Sequence, residues 1–366
     1  MRRITICVGT RPNFIKITQF ERCLQKYPEL QLHLVHTGQH YDQNMSDVFF
    51  QELGIKSPDV YLNATGGGQM NTIADIIVKF QAYLTEVKPD LVIVPGDVNS
   101  TLACALVANR NSIPVAHLES GLRSFDRTMP EEINRILVDD LSDLFFVTEQ
   151  SGEKNLIKEG KHPNQIHFVG NTMIDTLVAN LSKIDERIIL KQLGVDAPFG
   201  LLTFHRPSNV DNEAALGLLV ETIQELSNRI QLVFSVHPRT ERQLKAFGFY
   251  DQLKNNAQII LAQSFGYLDF IHLVKNAKFI LTDSGGIQEE STFLGVPCLT
   301  VRENTERPIT ITAGTNQLLN LEKLTILKAV EDALKYDLGK QPPSIELWDG
   351  HATERICEVI HDFLLK

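Results

Sequence analysis

The sequence lacks several features that would place it in a specialised class. No apolar run approaches the roughly 18 residues of a membrane-spanning helix, and Arg2, Arg3 and Arg11 interrupt the apolar stretch that a secretory signal requires. Cations are not in excess, since 35 Lys and Arg stand against 45 Asp and Glu for a net charge of −10. Binding to DNA or to an anionic membrane depends on clustered cations. We therefore expect a cytoplasmic protein with no nucleic-acid or membrane partner, although a few local cations could hold a small anion.

Patterns for metal binding and for common cofactors are also absent. No Cys-x-x-Cys or His-Glu-x-x-His spacing occurs, and His117-Leu118-Glu119 matches only half of a zinc-deaminase signature, because no Pro-Cys-x-x-Cys follows. Neither Gly-x-Gly-x-x-Gly nor a Walker A sequence is present, which disfavours a nicotinamide enzyme and a nucleoside triphosphatase. We expect no metal and no cofactor. The cysteines are expected to be buried, reduced thiols: Cys7, Cys23, Cys104, Cys298 and Cys357.

The length of 366 residues predicts two domains, at roughly 100–200 residues each. Short β-rich apolar runs alternate with amphipathic patterns, which is typical of parallel sheets covered by helices on both faces. We predict the α/β class, with two doubly wound Rossmann-like domains at 1–173 and 174–350 that face each other across a cleft. Strands are predicted at 4–8, 32–37, 91–95, 115–118, 144–147, 166–169, 201–204, 231–236, 258–261, 279–281 and 298–301, and helices of the first half at 15–26, 71–86, 101–109, 131–141 and 152–159.

Ligands of such sheets bind beyond the carboxyl ends of the strands, and Asp283-Ser284-Gly285-Gly286 occupies such a position. Glycines allow a phosphate to approach the backbone, and the start of a helix favours an anion. Asp283 or Ser284 could instead serve only as a helix cap. A cap needs no pair of glycines, so we favour a phosphate site, which fits a nucleoside diphosphate. Glu290, further along the same helix, could then accept hydrogen bonds from ribose hydroxyls.

Carboxylates follow several strands of the first domain. Asp97 could cap a helix, and Glu131 fits a capping box with Thr128 or a surface pair with Arg135, whereas Glu119 has no comparable structural explanation. Carboxylates delivered to one rim by separate strands indicate acid–base chemistry.

Cationic residues also fall at the expected ligand-binding edges. Arg11 and Lys16 follow the first strand and could be surface charges. His205 and Arg206 end a strand of the second domain and could donate to phosphate, although His205 could equally be a buried structural histidine.

In combination these motifs resemble those of the non-hydrolysing UDP-N-acetylglucosamine 2-epimerases, which are related to GT-B glycosyltransferases. The resemblance extends from 9–12 to 305–308, and its most specific parts are 117–123, 130–135 and 282–290. It implies a GT-B fold, a cytosolic homodimer, and interconversion of UDP-GlcNAc and UDP-ManNAc. It also implies that a last helix at 351–366 packs back on the first domain.

The resemblance assigns roles to individual residues. Asp97, Glu119 and Glu131 match the acid–base carboxylates, and Lys16 and His205 match functional positions near the diphosphate. The substrate-binding positions are Arg11, Ser284, Gly285 and Gly286 for phosphate, Glu290 for ribose, and Gln69 and Arg135 for the sugar.

Departures from the common pattern leave two points open. Segments 36–45 and 237–240 resemble epimerases of UDP-2,3-diacetamido-2,3-dideoxy-glucuronate, which is therefore the alternative substrate. Pro207-Ser208-Asn209 also differs from most members, as do Asp42 and Gly68, which stand where some relatives place groups of a second, activating UDP-GlcNAc site. A carboxylate repels a diphosphate, and loss of an Arg removes a bidentate partner. We therefore expect a weakened activating site and a hyperbolic dependence of rate on UDP-GlcNAc concentration.

Overall fold

The chain forms two units. The structure, a computed structural model, describes residues 1–38, 50, 52–65, 67–337 and 342–365. Contacts between residues divide it into Met1–Ala179 with Glu346–Lys366, and Asn180–Ile345. Residues 174–179 and 346–350, which the sequence-based boundaries assign to the second domain, thus belong to the first unit.

Each unit is built on one parallel sheet. The strands are β1 Arg2–Val8, β2 Leu30–His36, β3 Val60–Tyr61, β4 Leu91–Pro95, β5 Val115–Leu118, β6 Leu144–Val147, β7 Ile166–Phe168, β8 Phe199–Thr203, β9 Gln231–Val236, β10 Ile259–Gln263, β11 Phe279–Thr282, β12 Cys298–Val301 and β13 Asn316–Leu319. The first sheet has the order β3-β2-β1-β4-β5-β6-β7 and the second β10-β9-β8-β11-β12-β13. Both orders reverse direction at one point, between β1 and β4 and between β8 and β11. The predicted class, α/β with two doubly wound sheets as in the GT-B fold, is confirmed.

Helices connect the strands and cover the sheets. They are α1 Arg11–Ile15, α2 Phe20–Leu24, α3 Gln69–Val87, α4 Asn99–Arg110, α5 Pro130–Leu141, α6 Gln150–Lys158, α7 Thr172–Asp185, α8 Ile189–Leu193, α9 Pro207–Val210, α10 Glu213–Ser227, α11 Pro238–Ala246, α12 Tyr250–Lys254, α13 Tyr267–Asn276, α14 Gly286–Leu294, α15 Ile309–Thr312, α16 Lys323–Leu334 and α17 Ala352–Leu365. A short 3-10 helix, Pro163–Gln165, precedes β7.

The central strands are buried on both faces, which is why they read as unbroken apolar runs. Ile4, Ile6, Val92 and Val94 have no exposed surface. Every predicted strand overlaps an observed one. The single helix predicted at 15–26 is wrong, because the chain forms α1 and α2 with four residues between them.

Cysteines, groups of metal-ligating side chains and long apolar helices are the features that would mark another class of protein. All five cysteines are buried and reduced, as expected. Within the described part of the chain, no three His, Cys, Asp or Glu side chains are grouped so as to hold a metal ion. The helices of that part are each too short or too polar to cross a membrane.

The carboxyl-terminal helix α17 is anchored to the first unit by one buried carboxylate. Asp175 of α7 accepts hydrogen bonds from the backbone N–H groups of Ala352 (3.0 Å) and Thr353 (2.6 Å) and from the Thr353 hydroxyl (2.6 Å). These donors belong to the start of α17, where backbone N–H groups have no partner within the helix. Burial raises the pKa of Asp175, although the bonds from Thr353 and Ala352 oppose that shift.

This anchor generates a stability prediction. Asp175→Asn should destabilise the protein by about 1–3 kcal/mol. The NH2 group of the amide would face groups that also donate, so buried N–H groups would lose their acceptor. The measurement is urea-induced unfolding. Glu354→Gln, in the helix α17 that Asp175 anchors, is the matched control, since its ion pair with Lys26 (3.4 Å) is exposed and should contribute less than about 0.5 kcal/mol. Equal effects of the two variants would contradict the prediction.

Candidate active site

The loop after β1 lies at the point where the first sheet reverses direction, and Asn13 fixes its shape. The Asn13 side-chain oxygen accepts from the backbone N–H groups of Gly9 and Thr10, both at 3.2 Å, and its amide donates to the Pro95 carbonyl at 3.1 Å. The loop after β1 is thereby joined to the end of β4. Arg11 is left exposed, whereas Lys16 is buried.

Lys16 forms a buried ion pair with Glu119, which follows β5. The Lys16 Nζ atom lies 2.6 Å from Glu119 Oε2, with side-chain exposures of 6% and 4%. Glu119 has a φ of 68°, a left-handed conformation that costs a residue other than glycine roughly 1–2 kcal/mol. The interpretation of Lys16 as a surface charge is wrong. Instead, the structure joins two of the sequence-predicted site residues.

Asp97 and Arg135 form a second ion pair at the same edge. Arg135 Nε lies 3.0 Å from Asp97 Oδ2, and the buried guanidinium also binds Glu132. Asn134 donates to the Asp97 carbonyl at 2.8 Å. Asp97 is therefore paired with a cation of α5. Arg135 is not the surface partner of Glu131 that the alternative interpretation required.

Glu131 is exposed in the first turn of α5. The capping box expected with Thr128 is wrong, because the helix begins after Met129 without a side-chain cap and the Thr128 hydroxyl donates to Asp126 at 2.6 Å. Glu131 is thus free of the structural role that its sequence pattern suggested.

The remaining predicted positions of this unit lie between Lys16 and Asp97 in the sequence. Gln69 is exposed at the start of α3, after Gly68 with a φ of 140°, a conformation that side-chain-bearing residues rarely adopt. Asp42 and residues 39–45 of the segment 36–45 lie outside the described residues, as does Gly66.

In the second unit, Asp283 joins the two loops where that sheet reverses direction. Its carboxylate follows β11 and accepts from the backbone N–H groups of His205 (3.0 Å) and Arg206 (2.9 Å) and from the Asn209 amide (3.0 Å). The His205 ring Nδ1 lies 3.0 Å from Asp283 Oδ1. Burial alone would raise the pKa of Asp283, but the bonds from His205, Arg206 and Asn209 lower it. Asp283 therefore does not cap α14; it holds His205 at the edge, with the ring half-exposed.

Ser284, Gly285 and Gly286 form the turn into α14, and Gly285 is the residue that precedes the helix. A Cβ atom at Gly285 would lie 2.6 Å from Glu306 Oε1 and 3.0 Å from Arg307 Nη1. A side chain at this position would therefore have to displace the Glu306–Arg307 ion pair, whether or not a phosphate binds. Arg307 Nε also lies 2.7 Å from Glu289 Oε2, so a buried charge network supports the turn.

Glu290 is a buried carboxylate in α14. Burial raises its pKa to about 8; Tyr267 and Arg307 oppose the shift, and Glu289 adds to it. Burial, together with the neighbouring Glu290, also raises the pKa of the Tyr267 hydroxyl well above its usual value. Within the described part of the chain, Glu290 Oε1 has no hydrogen-bond partner. A buried acceptor of this kind is suited to a ligand hydroxyl.

Sequence reasoning included Arg135 but missed two other charged side chains on the buried face of α5, those of Glu132 and Asp139. Glu132, Arg135 and Asp139 are all buried, and their spacing of three and four residues places them on one face of the helix. Glu132 accepts from the backbone N–H groups of Ser124 and Phe125, each at 2.9 Å. The spacing was a signal, but charged residues at such positions are usually solvent-exposed.

The sequence of this chain is similar to those of known proteins over nearly its full length. The family model described as UDP-N-acetylglucosamine 2-epimerase matches residues 22–361. The chain is 42% identical over 364 residues to the UDP-N-acetylglucosamine 2-epimerase of Methanocaldococcus jannaschii, with 98% of each protein covered. It is 36% identical over 363 residues to the UDP-2,3-diacetamido-2,3-dideoxy-D-glucuronate 2-epimerase of Pseudomonas aeruginosa, covering 98% of this chain and 99% of that protein.

A solved structure agrees with these relationships. The crystal structure of the M. jannaschii UDP-GlcNAc 2-epimerase in complex with UDP-GlcNAc and UDP matches with a TM-score of 0.90 at 41% identity, covering 98% of this chain and 99% of that one. Similarity of this extent holds for both units. The chain therefore belongs to the UDP-N-acetylglucosamine 2-epimerase family.

Proposed function

We propose that this chain interconverts UDP-GlcNAc and UDP-ManNAc by eliminating UDP across C1–C2 and adding it back. The observation that carries the proposal is the pair of carboxylate–cation contacts, Lys16–Glu119 and Arg135–Asp97, at the carboxyl edge of the first sheet. Sheets of this kind bind ligands at that edge. Family membership supports the substrate class.

The proposed chemistry follows from the sugar. The hydrogen on C2 of a GlcNAc unit is not acidic, because C2 has no neighbouring carbonyl carbon in the ring. A base therefore removes it as a proton while the C1–O bond breaks and its electron pair leaves with UDP, which gives 2-acetamidoglucal. The UDP oxygen then adds to C1 as C2 receives a proton on the opposite face. Inversion needs a proton donor or acceptor on each face, hence more than one carboxylate.

We assign the acid–base roles to Asp97, Glu119 and Glu131. The first two are held by cations and by backbone contacts, so each points in a fixed direction. Glu131 is exposed in the first turn of α5 and has no capping contact, which leaves its carboxylate available to a substrate. Arg135 and Gln69 are assigned to the sugar.

The UDP contacts are assigned mainly to the second unit. Backbone N–H groups of Gly285 and Gly286 at the start of α14, together with Ser284 and His205, would bind the diphosphate, because helix starts favour anions. From the first unit we add Arg11 and Lys16, of which Arg11 is exposed. These donors would stabilise the negative charge on the leaving UDP. Glu290 would accept hydrogen bonds from the ribose.

We favour UDP-GlcNAc over the diacetamido-glucuronate. The latter carries an extra carboxylate, which calls for an additional cation. Arg239, in the segment that resembles the glucuronate enzymes, is already bound to Asp211, with Nε 2.8 Å from Oδ1. Identity is also higher to the M. jannaschii UDP-GlcNAc enzyme, at 42%, than to the P. aeruginosa enzyme, at 36%.

We also propose that the protein is a homodimer and acts in the cytoplasm. Its product would supply ManNAc units for a surface polysaccharide. The dimer is supported by apolar side chains on α3, α4 and α5, where Val78, Leu106 and Leu137 are 69%, 36% and 42% exposed. Neighbouring helices with exposed apolar residues are typical of interaction surfaces.

The first test is incubation with UDP-GlcNAc in D2O. Formation of UDP-ManNAc with deuterium at C2 is the expected result, because the proton returned to C2 comes from a group that exchanges with solvent. Release of free ManNAc would indicate a hydrolysing enzyme. Reaction of the diacetamido-glucuronate, but not of UDP-GlcNAc, under the same conditions would favour the alternative substrate.

The acid–base assignment predicts separate effects on exchange and on binding. Asp97→Asn, Glu119→Gln and Glu131→Gln should each lower C2 deuterium incorporation by about 10²–10⁴-fold and retain UDP binding. Glu131→Gln should also leave stability within about 0.5 kcal/mol, because its side chain is exposed. Glu21→Gln, an exposed carboxylate in the first turn of α2, is the matched control. A Glu131→Gln protein with full exchange would remove Glu131 from the set.

The ribose assignment predicts a pH dependence of UDP binding. The ionised Glu290 carboxylate accepts hydroxyl donors better than the neutral acid, and its pKa without ligand is about 8. Binding should thus release a proton below that pH, and UDP affinity should rise with pH by up to about tenfold per unit until the pKa is passed. Calorimetry in buffers of different ionisation enthalpy measures both quantities.

Two variants isolate this dependence from the titration of UDP itself. Glu290→Gln should bind UDP more weakly and lose the Glu290 part of the pH dependence. Glu241→Gln, at a half-buried position of α11 where the side chain pairs with Lys245, should keep it. An unchanged pH profile in Glu290→Gln would disprove the ribose role.

A further inference from the structure

Asp139 of α5 lies at the centre of a buried polar network beneath the loop that carries Glu119. Its Oδ1 atom lies 2.6 Å from His117 Nδ1, and its Oδ2 atom accepts from the Gly121 backbone N–H at 3.0 Å and from Arg123 Nη2 at 2.7 Å. His117 and Asp139 have no exposed surface. One carboxylate thus binds His117 of β5 and two residues of the segment that follows this strand.

The points of attachment lie on either side of Glu119. His117 precedes it by two residues, and Gly121 follows it by two. The backbone N–H groups of Glu119 and Ser120 both donate to the Phe146 carbonyl at 3.1 Å. A residue other than glycine keeps a left-handed conformation only where its surroundings impose it, and these bonds impose it on Glu119.

The same network reaches the loop that carries Asp97. His117 Nε2 lies 2.8 Å from the carbonyl oxygen of Gly96, which can only accept, so this nitrogen carries a hydrogen. Gly96 in turn lines the Lys16–Glu119 pair, since a Cβ atom there would lie 2.8 Å from Lys16 Nζ and 3.9 Å from Glu119 Oε2. The His117 ring therefore connects Asp139 to the wall of that ion pair.

The pKa shifts of Asp139 and Arg123 agree with these contacts. Burial would raise the pKa of Asp139, but His117 and Arg123 lower it. Against the effect of burial, which would lower it, Glu159 and Asp139 raise the pKa of Arg123. The residues that lower the pKa of Asp139 are thus two of the residues that contact its carboxylate.

We infer that Asp139 and His117 are positioning residues for the epimerase reaction: they hold Glu119 and the Gly96–Asp97 loop in the geometry needed for proton transfer at C2. Neither residue touches the substrate in this arrangement. The inference rests on the proposed function, because it concerns the carboxylates assigned there. It predicts that the network governs the rate of the proton-transfer step rather than the binding of UDP.

The competing explanation is that the network only stabilises the fold. Asp175 provides a comparison within the same unit, since it too is buried and accepts two backbone N–H groups and one side-chain donor. Its bonds hold α17 and make no contact with Glu119 or Asp97. A purely structural role would give Asp139 and Asp175 variants the same pattern of defects.

The experiment compares Asp139→Asn with Asp175→Asn in the full-length protein. In Asp139→Asn the amide group must face either His117 or the donors Gly121 and Arg123, so one attachment is lost. We expect kcat for UDP-GlcNAc to fall about 10- to 100-fold, as for outer residues that orient functional groups, with KM and UDP affinity changed less than about twofold. Asp175→Asn should lower the unfolding midpoint and leave kcat unchanged.

A second readout separates this inference from the proposed function. Hydrogen exchange followed by mass spectrometry should show faster exchange of peptides spanning 117–123 in Asp139→Asn, and no such change in Asp175→Asn. Faster exchange in a protein whose wild type does not epimerise UDP-GlcNAc would mean that the proposed function fails while the network still orders the loop. An Asp139→Asn protein with unchanged kcat, or with unchanged exchange at 117–123, would overturn the inference.

Discussion

Buried aspartates that accept backbone N–H groups from distant segments are the interaction on which both units depend. Asp139 binds the segment after β5, Asp175 binds the start of α17, and Asp283 binds the loop after β8. Moving a carboxylate from water into the interior is costly unless its oxygens are fully bonded. Each of these aspartates offsets that cost by accepting several charge-assisted hydrogen bonds. Each therefore holds together two chain segments that are far apart in the sequence.

The charged groups around the buried carboxylates differ from one carboxylate to the next. Cations or imidazole groups adjoin Asp139 and Asp283, and their pKa values are lowered. Glu290 is equally buried, yet burial raises its pKa to about 8 and Oε1 finds no partner among the described residues. A carboxylate that the protein satisfies by itself maintains the fold. A carboxylate left partly unsatisfied has bonding capacity for a ligand.

The sequence allowed prediction of the sheets better than of the site. Strands such as β4 and β5 are buried on both faces, so composition alone identifies them. Edge strands β3 and β13 were missed, because a two-residue strand and the polar start of Asn316–Leu319 carry little apolar signal. The helix predicted across 15–26 is interrupted where Lys16 is buried against Glu119, a contact between residues 103 positions apart. Local periodicity contains no information about such a contact.

Side-chain partners were equally hidden from local patterns. Glu131 had the spacing of a capping box, yet the adjacent Glu132 is the residue that binds backbone N–H groups. Asp283 had the position of a cap, yet its carboxylate faces the loop after β8. In both cases a buried tertiary hydrogen bond forms instead of a local helix cap. The reason is that an unsatisfied buried donor costs more free energy than an exposed one.

The same physical reasoning constrains how the proposed reaction gains its rate. Carboxylates are weak bases at neutral pH, and the hydrogen on C2 is not acidic, so removal of that proton needs help from cleavage of the C1–O bond. Cleavage in turn depends on how well the departing diphosphate is stabilised. The turn Ser284–Gly286 offers backbone N–H groups at the start of α14, and His205 is fixed beside it by Asp283. In the proposed reaction, donors that bind the departing diphosphate therefore contribute to proton transfer at a carbon that they do not touch.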